Sequence, residues 1–199
     1  MTGALPEPWI TRRLLLRRLR REEAEALVAY RGLPEVARYQ GWETFGMEDA
    51  VQLIEDQVDR EPGVPGTWLQ LAIVERETGR LVGDCGLHCL PEGPPQMELG
   101  ITLAPTQQGL GYASEALGAV LNFVFGTLGM HRVSAVTGTE NLAAAALFRR
   151  LGFRQEAHHV EHRWYKGAWE SEYVFARLRR EWAERMPIDL GASTVARVP

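Results

Sequence analysis

The sequence predicts an α+β domain, a mixed and mostly antiparallel sheet with helices on both faces. Hairpin-linked strand patterns come first in the chain, and strand–helix–strand units follow. A strongly amphipathic segment at 113–128 supplies the main helix between them. The chain has 199 residues, 45% of them hydrophobic, which favours a single core.

Residues 1–9 are expected to be a loose leader, and residues 10–19 a strand rich in leucine and arginine. A helix follows at 22–31 and a shorter one at 34–39. Residues 48–61 form a further helix, because Met47, Val51, Ile54 and Val58 fall on one stripe. The run Glu61-Pro62-Gly63-Val64-Pro65-Gly66 breaks it. Residues 67–75 and 81–88 are strands, joined by a hairpin over Arg76-Glu77-Thr78-Gly79. In the strand at 97–103, Met97, Leu99, Ile101 and Leu103 share one face, and Glu98, Gly100 and Thr102 the other. Pro105 ends it. In the helix at 113–128, Ala113, Leu117, Val120, Leu121, Val124 and Leu128 make one apolar stripe. A short strand at 132–137 precedes a helix capped by Asn141 and stopped by Gly152. Two last strands are expected at 153–162 and 170–178. The domain is thus read as 10–182, with a tail at 183–199.

The formal net charge of −4 does not suggest a nucleic-acid protein. No apolar run approaches the roughly 18–20 residues of a membrane span, the N-terminus lacks a basic-then-apolar pattern, and two cysteines make no disulfide framework. A reducing cytoplasm is the expected compartment. Cys85-Gly86-Leu87-His88-Cys89 could hint at a metal. On a strand, however, Cys85 and Cys89 share a face, His88 points away, and there is no third cysteine, so no metal is expected. His158, His159 and His162 are read as structural or exposed, with a role near an acceptor as the alternative. The cluster Arg12, Arg13, Arg17, Arg18, Arg20 and Arg21 is read as a solvated strand face. Contact with an acidic or RNA-rich partner is the alternative.

The chemistry points to Gln108-Gly109-Leu110-Gly111-Tyr112-Ala113, between a strand and the best helix. Two glycines let the backbone turn sharply and let a bulky anion come close. The helix that follows offers unpaired N–H groups and the positive end of its dipole, a ready site for a pyrophosphate. Gln108 could add an amide donor without charge. The dinucleotide fingerprint fits poorly, because its third glycine is Ser114 and no acidic residue stands near position 131.

This loop resembles the acetyl-CoA loop of the GNAT superfamily of N-acetyltransferases, a pattern met here by Gln108, Gly111 and Ala113. The wider string from Gly109 to Ala116 resembles the branch that acetylates N-termini of ribosomal proteins. Arg13-Leu14-Leu15-Leu16-Arg17 is similar to that branch's first strand, and Glu140-Asn141 with Leu151-Gly152-Phe153 to its second CoA motif. Lys166-Gly167-Ala168-Trp169 with Arg180-Glu181-Trp182 is similar to its closing hairpin.

The resemblance implies about seven strands, splayed between the fourth (97–103) and fifth (132–137), with the pantetheine arm in the gap. Backbone groups near Leu99, Ile101 and Leu103 would pair with that arm. Gly109, Gly111, Tyr112, Ala113 and Ser114 would hold the pyrophosphate together with Gln108. Asn141 belongs to the second CoA motif, and Phe148 would pack against the arm. Acetyl-CoA is the implied co-substrate and an amine the implied acceptor, either a protein N-terminus or a small molecule, with direct transfer and no covalent intermediate. Glu98 is the candidate base, and Tyr39 and Trp42 are candidates for the acceptor site, in a region that shapes it in relatives. A homodimer is compatible with the resemblance. Two positions depart from it: Ala144 stands where many relatives have serine, and Phe148 where many have the tyrosine that serves as general acid. Those departures motivate an alternative, a CoA-binding module that does not turn over.

Overall fold

A computed structural model describes residues 8–184. Within the leader and tail expected from sequence, residues 1–7 and 185–199 lie outside the described part. The segment expected to be the first strand is two, β1 (Trp9–Ile10) and β2 (Leu14–Arg18). Thr11 makes the break: its N–H donates to the Leu14 carbonyl at 2.9 Å, and its hydroxyl accepts the Leu14 N–H at 2.9 Å. The sheet therefore has eight strands where seven were expected.

β3 (Trp68–Glu75), β4 (Leu81–Cys89) and β5 (Gln96–Leu103) continue β2 as an antiparallel meander. The β3–β4 hairpin closes as expected, with Gly79 at φ +70° supplying the left-handed residue. Gly83 is required by close approach, since a Cβ there would stand 2.3 Å from the Thr102 carbonyl oxygen. After β5 the chain crosses over through α4 (Tyr112–Asn122) to β6 (Arg132–Gly138), which pairs parallel with β5. β8 (Ala168–Leu178) then pairs antiparallel with β6, and β7 (Arg154–Tyr165) is the edge strand.

Helices cover both faces. α1 (Ala24–Arg31) and α3 (Met47–Glu55) bury Leu27, Tyr30, Ala50 and Ile54 against Ala72 and Val74. α4 and α5 (Leu142–Arg150) lie on the opposite face, where Leu117, Val120 and Leu121 pack with Leu71, Ile73, Met97 and Val133. After α1, α2 (Pro34–Ala37) leads into the Tyr39–Trp42 loop.

Two helices differ from the reading. α3 stops at Glu55, so Val58 lies beyond its end and is exposed, as is Met47 at its first position; only the middle of that stripe reaches the core. The helix expected over 113–128 is α-helical to Asn122 and continues as a π-turn over Phe123–Thr127. That turn still buries Val124 and Phe125, because it keeps the apolar face on the sheet.

One charge sits in the middle of the packing. Asp84, fully buried on β4, accepts from Arg31 Nη2 at 2.7 Å, Tyr30 Oη at 2.9 Å and Gln70 Nε2 at 2.7 Å. Burial, then the neighbouring Asp84 carboxylate, push the Tyr30 phenol well above its ordinary range. These bonds satisfy a group that would otherwise be costly to bury, and they tie α1 to the sheet.

Candidate active site

β5 and β6 pair only through Gln96–Arg132, Met97–Val133 and Glu98–Ser134; beyond these the strands part. Along β5 the alternation of bonds decides what faces the opening. The Gln96 carbonyl accepts from Leu90 and the Ala104 N–H donates to Val82, so the even-numbered backbone groups point to β4. The N–H and C=O groups of Leu99, Ile101 and Leu103 therefore point into the gap. An extended chain laid in that gap would find a strand edge ready to pair.

The gap opens into a groove of about 830 Å³, walled by Ile101 and Leu103 of β5, the turn before α4, the start of α5, and Tyr39 beyond α2. Gly109 and Gly111 have φ +75° and +83°, and Gly111 is the N-cap of α4. The N–H groups of Tyr112, Ala113 and Ser114 have no acceptor among the described residues, so the helix presents bare donors to the groove. The Ser114 hydroxyl accepts from Arg150 Nη1 at 3.1 Å, which brings a guanidinium to the same rim. That arrangement fits a diphosphate: backbone donors, a dipole end and a cation converge on one turn.

Sequence reasoning placed Gln108 as a phosphate donor, but its Nε2 donates to the Leu103 carbonyl at 3.2 Å and so fastens the turn to the end of β5. Asn141 caps α5, its Oδ1 accepting the Ala144 N–H at 3.1 Å, and also lines the groove. Phe148 does not reach the groove wall. Its ring is buried between Phe153 and Phe175, each with centroids 5.6 Å away. With Ala145 and Leu147, Phe148 makes up the buried face of α5, which turns to the sheet while the helix start is exposed.

Glu98 lies at the closed end of the gap, opposite the last β6 partner, with its side chain on the face covered by α1 and α3. Burial raises its carboxyl above the ordinary range; His88, its cross-strand neighbour, opposes this and Glu172 of β8 adds to it. Tyr39 is exposed on the groove wall. Trp42 is not on that wall: its Nε1 donates to the Arg31 carbonyl at 3.0 Å and its ring lies 4.2 Å from the Arg31 guanidinium.

Arg12, Arg20 and Arg21 of the arginine cluster are exposed, as a solvated face would be, but Arg13, Arg17 and Arg18 are partly buried. Arg13 pairs with Glu115, Arg17 with Glu23 at 2.8 Å, Arg18 with Glu61 and Arg21 with Glu55. Arg13 holds the turn before α4 from behind, donating to the Leu110 carbonyl at 2.9 Å and lying 4.6 Å from the Tyr112 ring. Glu115, Arg150 and Glu172 were assigned no role from sequence. Glu115 carried the only available signal, an acid in the first turn of a helix otherwise apolar on that side. Cys85 and Cys89 are buried on the α4 face, where burial raises both thiols, and His88 stacks on Trp68 on the other.

A mixed sheet that parts beside an amide-lined helix mouth is an architecture suited to a transferase with a phosphate-bearing donor. The chain belongs to the GNAT acetyltransferase family, whose domain model matches residues 13–154. It is 29% identical over 181 residues to the N-acetyltransferase p20 of Bacillus licheniformis, covering 89% of this chain and 99% of that one. A GNAT-family acetyltransferase of Bacillus anthracis superposes with a TM-score of 0.78 at 25% identity, over 87% of this chain and 99% of that chain. The fold is also that of a spermidine N-acetyltransferase from Vibrio cholerae solved with CoA and spermine (TM-score 0.73, 20% identity, 86% and 98% covered). The chain is thus an N-acetyltransferase of a family that uses acetyl-CoA, and the reading as a module without turnover is set aside. No helix among the described residues is long and apolar enough to cross a membrane.

Proposed function

We infer that the protein transfers an acetyl group from acetyl-CoA directly to a primary amine, a protein N-terminal α-amino group or a small-molecule amine. The observation that carries this is the parting of β5 from β6 after Glu98, with a free strand edge leading to the bare amides of α4. Acetyl-CoA supplies an activated thioester. Leu99, Ile101 and Leu103 offer backbone partners to its arm, and Gly109, Gly111, Tyr112, Ala113 and Ser114 offer amides to its diphosphate, with Arg150 beside them. A fixed amide aimed at a developing oxyanion contributes about 3–4 kcal/mol.

Glu98 is the base in this reading. Its raised affinity for a proton suits removal of one from an amine near neutral pH. Tyr39 and the loop around Trp42 form the acceptor side, facing the β7–β8 hairpin. That hairpin is fastened there, with Lys166 Nζ donating to the Ala37 carbonyl at 2.6 Å and the Tyr165 hydroxyl donating to the Gln40 carbonyl. Phe148 cannot serve as a general acid, and a CoA thiol of ordinary pKa about 8.5 can leave as the thiolate without one. The test has two stages. Acetyl-CoA at millimolar concentration raises the Tm, and CoA release then depends on added amine. A protein that shows no thermal shift with acetyl-CoA rules the reading out.

A further inference from the structure

The histidines of β7 sit where that strand is deformed. β7 and β8 pair His159 with Glu172 and next pair Arg163 with Glu170, so Val160, Glu161 and His162 stand opposite Ser171 alone. At the centre of this bulge Glu161 has φ +44°, a left-handed conformation that is strained for a non-glycine residue. The Ser171 hydroxyl holds it by accepting the Glu161 N–H at 2.9 Å. Bulges of this kind re-aim a side chain, and they recur beside active sites.

The side chain re-aimed here is His162. Its Nε2 lies 2.7 Å from the carboxylate of Glu172, which is buried and also 3.3 Å from Arg163 Nη1. A carboxylate can only accept, so this bond fixes Nε2 as the protonated nitrogen and leaves the lone pair on Nδ1. No described residue bonds Nδ1, and the imidazole is 40% exposed. Glu98 stands opposite Ser134 and Glu172 opposite Gly138 of the same strand β6, so the two carboxylates lie on one face of the sheet, Glu98 at the closed end of the splay and Glu172 toward its open end. The His159 ring lies tilted against that of His162 with centroids 4.9 Å apart, and Glu170 faces Arg163.

We propose that His162, held by Glu172, receives the proton that an arriving ammonium must shed before it can attack. This rests on the amine-transfer reading above. Acetylating R–NH3+ removes two protons from nitrogen, because the amide product keeps one. The first goes to His162: an N–H bond breaks, its electron pair remains as the nucleophilic lone pair, and Nδ1 gains the proton. The imidazolium formed is stabilised against Glu172 and returns its proton to water. The second proton, lost once the C–N bond has formed, falls to Glu98.

The test compares wild type, His162→Ala, His162→Gln and Glu172→Gln, each as the full chain. The acceptors are spermidine and a short peptide with a free α-amino group. In His162→Ala, kcat falls about 10²-fold while KM for acetyl-CoA stays within about twofold. Added imidazole restores part of kcat, and His162→Gln, which can donate to Glu172 but takes no proton, stays low. Independently of turnover, 15N-edited spectra of the histidines show His162 as a single Nε2–H tautomer in wild type and a mixture in Glu172→Gln. An active wild type with an equally active His162→Ala variant overturns the role of His162 alone. So does an inactive variant that imidazole cannot restore, an active His162→Gln, or an Nδ1–H tautomer. A wild type that binds acetyl-CoA but acetylates neither probe overturns the transfer reading for these amine classes, and with it this role.

Discussion

The guanidinium of Arg13 reaches Glu115, on the first turn of α4, at 2.7 Å, and this contact couples the N-terminal strand to the helix that meets the cofactor. Glu115 also accepts the Arg13 N–H at 2.7 Å and the Thr11 hydroxyl at 2.6 Å. An acid in a first turn complements the helix dipole. Its three donors turn its charge away from the mouth and leave the amides free.

Glu115→Ala strands those donors and is expected to cost about 2–3 kcal/mol, a Tm drop of roughly 5–10 °C. Burial pushes the Glu115 carboxyl up, but the Thr11 and Arg13 bonds outweigh it and hold the group below its ordinary range. Its contribution is therefore present above the unfolded-state value of about 4.3 and disappears as pH falls through the lower folded value. The wild-type advantage in Tm over Glu115→Ala should narrow in acid. A difference that stays constant down to the lowest pH at which wild type folds would contradict this.

Gly111→Ala tests the cofactor turn. At φ +83° an alanine is strained by roughly 1–2 kcal/mol, and its Cβ would lie 3.3 Å from Arg13 Nη2, the clamp behind the turn. The expected result is acetyl-CoA affinity weakened about tenfold or more, equivalent to about 1.4 kcal/mol, with the acceptor KM little changed. Isothermal titration with acetyl-CoA reads the first and steady-state kinetics the second.

For Glu98→Gln, activity and stability should move in opposite directions. As the base, Glu98 must be ionised, so removing it lowers kcat about 10²-fold and abolishes the acid limb of kcat/KM. Burial raises its folded-state pKa, so the fold favours the protonated acid. That stability is present below the unfolded value and lost as pH rises through the folded one. Glutamine has no charge to bury. The variant should match wild type in Tm at low pH, exceed it as pH rises through the folded-state value of Glu98, and keep a constant margin above that.

How legible this was in the sequence depends on the range of each interaction. The α4 stripe, the Asn141 cap, the Gly79 hairpin and the Gly111 turn are local patterns, and each lies where its periodicity or turn chemistry put it. The edge of β5 was expected from the family resemblance, whereas alternation by itself sorted only its side chains onto two faces. What failed were contacts between distant segments. Arg13 and Glu115 are 102 residues apart, so a charged strand looked solvated. Phe148 follows the helical period faithfully, yet which neighbour that face meets is decided by β8. The β7 bulge left no trace, because a displaced register carries no composition of its own.

Asp84 shows the same limit, and it supports a last prediction about the acceptor side. A lone acid in Leu81-Val82-Gly83-Asp84-Cys85 is visible in sequence, but its partners on α1 and β3 are not. Arg31, which Asp84 holds, supports the rings of Trp42 and Phe45 at 4.2 and 4.9 Å, and Trp42 is tied back to the Arg31 carbonyl. The loop that would meet an acceptor thus stands on a buried ion pair. Asp84→Ala should cost about 3–5 kcal/mol, because it leaves a buried guanidinium uncompensated. Arg31→Ala in the same chain should recover part of that loss, since the pair is coupled and the effects will not add. At a temperature where Asp84→Ala remains folded, acceptor KM should rise while acetyl-CoA affinity holds, because the α4 turn shares no partner with Asp84. Equal loss of both affinities would mean that the Arg31 pair supports the whole sheet rather than the Trp42 loop.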